Sequence, residues 1–214
     1  QREKAELLGY NVGEPVAVLA THLTEVINSH ASELLGRQET QHLLDELKRT
    51  HPSLIDEIVP NVVPLSKVQR VLHNLLAERV PVRDLRTILE TLADYSDLKD
   101  VEVLSEYVRT ALRRSICNLL LKEAPEEGIA VLTMSGRLEE LIRESMQMTP
   151  AGLNVALAPD LASQLFRNLG AAIDKMIANG QQPVVLNAPH VRLAFRKLTA
   201  ANFPSLFVLS YNEI

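Results

Sequence analysis

The stretch PLSKVQRVLHNLLAERVPVRDLRTILETLADY, residues 64–95, reads as two amphipathic helices broken at a proline. Val68, Val71, Leu72, Leu75 and Leu76 recur at three- and four-residue steps, which puts them on one helical face. Lys67, Gln69, Arg70, Asn74 and Glu78 fall opposite, and Ser66 is placed to cap the start. Pro81 pushes Val80 toward an extended backbone, so a single long helix is excluded. Beyond the joint Leu85, Ile88, Leu89 and Leu92 form a second stripe. Neither stripe can be buried by its own helix, so the pair is the expected nucleus of a helical subdomain.

The rest of the chain divides around that nucleus. Residues 1–13 hold a short amphipathic piece and an extended stretch. Pro15, preceded by Glu14, suits a helix start, and Leu19, Leu23, Val26, Ile27, Leu34 and Leu35 mark a long helix with a buried stripe that stops at Gly36. A helix over 38–50 and a short one from Pro52 to Pro60 lead into the pair. Residues 100–121 predict one further helix, with Val103, Leu104, Val108, Ala111, Leu112 and Ile116 inward and Arg109, Arg113 and Arg114 as a basic patch. Residues 122–128 are rich in charge, proline and glycine, the signature of a linker, and Pro125–Gly128 is a hinge candidate.

After it the pattern alternates: a strand over 129–134, helices over 137–148 and 159–179, a strand over 183–186, a helix over 191–200 and a last strand over 206–210. Strands separated by helices predict a largely parallel sheet. The fold class is therefore α+β, a mostly helical subdomain followed by a small α/β subdomain. The divisions fall at residues 1–36, 37–121, 122–128 and 129–214.

Composition narrows the function. The chain of 214 residues is 46% hydrophobic and 23% charged, as in a folded soluble protein. No apolar run approaches the ~20 residues that span a bilayer. A net charge of −5 argues against nucleic-acid binding through bulk charge. A winged-helix-like DNA regulator, suggested by Arg109, Arg113 and Arg114, is thereby disfavoured. The single cysteine, Cys117, excludes an internal disulfide and a cysteine-based zinc site, and its apolar setting suggests a buried, inert thiol. His22 and His30 are two turns apart, whereas a helical zinc pair needs i and i+4. No nucleophile elbow, phosphate-binding loop or dinucleotide fingerprint occurs, so no catalytic residue and no cofactor is expected. Arg79, Arg83, Asp84, Arg86 and Glu90 place both signs of charge in one corner, which suits contact between copies of the chain.

Several blocks also resemble, in order, the cytoplasmic part of the FlhA/InvA (FHIPEP) family of type III export-gate proteins. They are Ala20-Thr21-His22-Leu23, Glu33 to Glu39, Leu75 to Glu90, Ser105 to Arg109 and Val208 to Glu213. The resemblance implies a non-enzymatic docking platform for export chaperones carrying cargo, which also meets other export-apparatus proteins and copies of itself in a ring of nine. It places Thr21, flanked by Val18, in the chaperone-binding cleft, and the helical subdomain at the subunit contacts. Residues 1–36 would end a preceding subdomain of a longer protein. Membrane contact would come only from a part outside this sequence, at the cytoplasmic face of the bacterial inner membrane. The Val208–Glu213 ending leans toward the flagellar system, with the virulence injectisome as the alternative.

Overall fold

The computed structural model describes residues 14–121, 128–150 and 152–214. The piece expected in residues 1–13 and all but Gly128 of the expected linker and hinge lie outside them. Among the described residues seven helices come first: α1 (Pro15–Leu34), α2 (Arg37–Thr50), α3 (Pro52–Ile58), α4 (Leu65–Ala77), α5 (Leu85–Asp94), α6 (Val101–Ala111) and α7 (Arg113–Leu121). Then follow β1 (Leu132–Thr133), α8 (Gly136–Glu144), the hairpin β2 (Met146–Thr149) and β3 (Gly152–Val155), α9 (Pro159–Ala178), β4 (Val184–Asn187), α10 (Pro189–Thr199) and β5 (Phe207–Ser210).

The helix pair folds as its periodicity requires. Val68, Val71, Leu72 and Leu75 of α4 and Leu85, Ile88, Leu89 and Leu92 of α5 are all buried, while Leu76 is only partly so. Each such side chain removed from water stabilises the fold by about 1.5–3 kcal/mol. The cap at Ser66 does not form: α4 begins at Leu65 behind an extended Pro64, which leaves Ser66 inside the first turn. At the far end Arg79 adopts a left-handed backbone, φ 58°. The Arg79 and Val80 amides donate back to the Leu76 and Leu75 carbonyls at 2.9 Å each, a Schellman stop that usually takes glycine. Pro81 explains why the helix cannot go on; it did not reveal this turn.

β4 lies between β1 and β5, parallel to both. All four β4 residues are buried, because its faces meet different layers. Val184 and Leu186 join Leu209 in the core of the α2–α7 bundle, whereas Val185 and Val208 face Ile142, Leu169, Ile173 and Phe195 of α8–α10. The sheet is thus the middle layer between two sets of helices.

Four expectations need correction. The helix over 100–121 breaks at Leu112, leaving Val103 and Ala111 exposed. The strand over 129–134 is laddered only at Leu132 and Thr133. The helix over 137–148 ends at Glu144, since Met146–Thr149 turns back to pair antiparallel with Gly152–Val155. Gly152 has φ +106°, and a Cβ there would come within 3.1 Å of Glu102 Oε2, so this hairpin return needs glycine. Last, Leu19, Leu23, Val26 and Ile27 do not make a buried stripe: no residue of α1 is buried.

Candidate docking and subunit-contact site

Proline at its first turn starts α1, and Glu14 before it is extended. Two ties hold the helix against α4. Gln69 donates to the Leu35 carbonyl at 3.4 Å, and Arg79 Nη2 meets Glu25 Oε1 at 2.6 Å. Moving along α4 from Gln69 to Arg79 therefore means moving back along α1 from Leu35 to Glu25, so the helices are antiparallel. Thr21 lies one turn beyond Glu25, exposed, with Val18 another turn out at 55% exposure. Leu19, Leu23 and Ile27 are also more than half exposed. Among the described residues, α1 presents an apolar surface to water.

The corner charges separate into distinct roles. Arg79 is directed at α1 through Glu25. Asp84 caps α5, accepting from the Thr87 amide at 3.2 Å and its hydroxyl at 2.8 Å. Arg86 and Glu90 pair along α5 at 2.8 Å, with both side chains exposed, and Arg83 is exposed between the helices. Beside them the rings of Tyr95 and Tyr107 stack with centroids 4.2 Å apart. They line a groove of about 590 Å³ with Asp84, Asp94, Arg113 and Arg114. Sequence reasoning missed this groove, because its walls come from α5 and from both sides of the break at Leu112.

The basic patch is not one surface. Arg113 and Arg114 are exposed, but Arg109 is 2% exposed and faces the seam between bundle and sheet. Its Nη1 reaches Glu78 Oε2 at 3.1 Å, its Nη2 reaches Glu213 Oε1 at 2.7 Å, and the Val208 carbonyl accepts from it at 3.2 Å. Arg192 of α10, wholly buried, donates to Glu78 Oε2 at 2.7 Å, to both carboxylate oxygens of Glu106, and to the Val208 carbonyl at 3.3 Å. Burial pushes the Glu78 carboxyl up, but the guanidiniums of Arg109 and Arg192 outweigh it and hold the group at about 2. Burial lowers the Arg192 guanidinium's basicity, and Glu78 and Glu106 more than reverse that. Burial raises the Glu106 carboxyl above its usual range against the pull of Arg192. Arg109 thus takes all these partners from distant parts of the sequence.

Glu213 takes part through a capping box, the Ser210 amide and hydroxyl meeting Glu213 Oε2 at 2.6 and 3.0 Å. The Ser-x-x-Glu spacing at 210–213 was the available signal. Arg192 was legible only as a charge among Val191, Ala194 and Phe195 on a core-facing stripe.

His30 meets Glu33 at 3.3 Å, His22 is exposed, and no group of three potential ligands occurs among the described residues. Cys117 is half-buried rather than buried; its thiol donates to the Glu213 carbonyl at 3.1 Å, and burial raises its pKa. No helix among the described residues is long and apolar enough to cross a membrane.

The model of the FHIPEP family matches residues 1–214. The flagellar biosynthesis protein FlhA of Bacillus subtilis is 41% identical across the whole chain, which spans 31% of that protein. The cryo-EM structure of nonameric EPEC SctV-C superposes with a TM-score of 0.80 at 32% identity, over 99% of this chain and 64% of that one. In the Chlamydia pneumoniae complex of CdsV and CdsO, the matched chain gives 0.78 at 31% identity, covering all of this chain and 62% of the other.

Proposed function

The chain belongs to the FHIPEP family, and we propose that it acts there as a docking and ring-forming platform of a type III protein-export gate. Export chaperones with their cargo dock on the N-terminal half of α1, around Val18 and Thr21. The reading rests on one observation: Val18, Leu19, Leu23 and Ile27 of α1 are more than half exposed although the helix lies along α4. A contiguous exposed apolar surface of that kind is a protein-binding feature. Binding and movement are the mechanism, with no bond made or broken.

Copies of the chain meet through the corner of Arg79, Arg83, Asp84, Arg86 and Glu90. Its mixed charges suit a head-to-tail contact that closes a ring, and the nonameric state of SctV-C supports a ring of nine. Contact with a further export-apparatus protein is supported by the complex of CdsV with CdsO. The flagellar system is favoured over the injectisome by 41% identity to FlhA against 32% to SctV-C. The working position is the cytoplasmic face of the inner membrane.

Substituting Thr21→Trp in the complete cytoplasmic region is expected to weaken binding of a chaperone–cargo complex by about tenfold, equivalent to ~1.4 kcal/mol. Helical circular dichroism should stay the same, because the Thr21 side chain is exposed. Unchanged affinity would remove Thr21 from the site.

A further inference from the structure

Two adjacent residues at the end of α4 point in opposite directions. Glu78 turns inward and binds both Arg109 and Arg192, so it holds α6 and α10 to the same carboxylate. Arg79 turns outward and binds Glu25 on α1. Between them lies a backbone fixed by the Schellman bonds to Leu75 and Leu76, with Arg79 in a conformation that disfavours side chains. Nothing in helix termination requires arginine there, since glycine would make the turn with less strain. The guanidinium is what the position gains.

We propose that the Glu78–Arg79 turn is a coupling joint that links the attitude of α1 to the seating of α10 and β5 against the helical bundle. The α10 and β5 end of the joint is closed by Arg192, which also grips Glu106 and the Val208 carbonyl of β5. Displacing α1 pulls on Arg79, shifts the turn, and loosens Glu78 from its two arginines. Because coupling free energies are reciprocal, loosening Arg192 also frees α1. The joint gives a docking event on α1 a route to the α/β layer, and in that use it rests on the docking reading above; the coupling itself does not.

The test is hydrogen exchange on the complete chain with no chaperone present, so its outcome is independent of whether α1 binds one. Glu25→Gln removes the ion pair but keeps the backbone, and Arg79→Gly removes it while easing the turn. Both are expected to speed exchange in α10 and at the Val208 and Leu209 amides by about two- to fivefold, the range one partly exposed ion pair supports. Arg192→Lys should speed exchange in α1 by a similar factor. Changes confined to α1 for the first two variants, or to α10 and β5 for the third, would overturn the proposal.

Discussion

Glu78 shows how far one carboxylate can be committed to a fold. An unfolded glutamate titrates near ~4.3, whereas Arg109 and Arg192 hold this one at about 2. Its folded pKa is depressed, so its contribution is complete above ~4.3 and is lost as pH falls from there toward 2. The shift corresponds to about 3 kcal/mol. Denaturant unfolding between pH 6 and 2.5 should therefore show stability falling in that window, and Glu78→Gln should flatten the fall. Glu106, raised by burial and in small part by Glu78 itself, works in the opposite sense. A Glu78→Gln curve parallel to the parent would show that the acid sensitivity lies elsewhere. None of this was legible beforehand: Glu78 read as a polar residue on the outer face of its helix, and Arg109 as part of a surface. Helical periodicity tells which face a residue occupies. It does not tell that another layer of the protein will cover the face.

Among the elements, those that bury a stripe locally were readable. The α4–α5 pair, α9, β4 and β5 occur where spacing and punctuation place them, with α4 and α5 both packed on α6 and β4 paired with β5. The failures have a common cause in long-range context. The β2–β3 hairpin exists because Gly152 approaches Glu102 of α6, and because Lys197 bonds both Glu102 and the Leu153 carbonyl. In α1 the pattern of a buried stripe is present and the burial is not. Caps form where a side chain has a free amide to meet, as at Ser135, which accepts from the Leu138 amide. They were misread where proline already set the start, as at Ser66. Asp84 tests the cap energetics: Asp84→Ala removes the bonds to the Thr87 amide and hydroxyl. It should cost about 0.5–2 kcal/mol in chemical denaturation. A loss below that range would mean that the packing of Leu85, Ile88 and Leu89 holds the α5 start by itself.

At the scale of the whole molecule, the sheet is shared by two layers and sealed by a buried charge cluster. The bundle core takes in Val184, Leu186 and Leu209, so the helical and α/β parts meet through side chains of the same strands. Against this body α1 is the exception, long, apolar and uncovered among the described residues. The groove of about 530 Å³ between α8 and α9, lined by Leu138, Leu141, Leu161 and Leu165, is another apolar surface that a partner could use. A footprint discriminates between them. Hydrogen exchange of the complete cytoplasmic region, with and without a saturating chaperone–cargo complex, should show new protection over residues 16–27 and none over 137–141 or 161–172. Protection in the α8–α9 groove with residues 16–27 unchanged would contradict the assignment of α1 as the docking face.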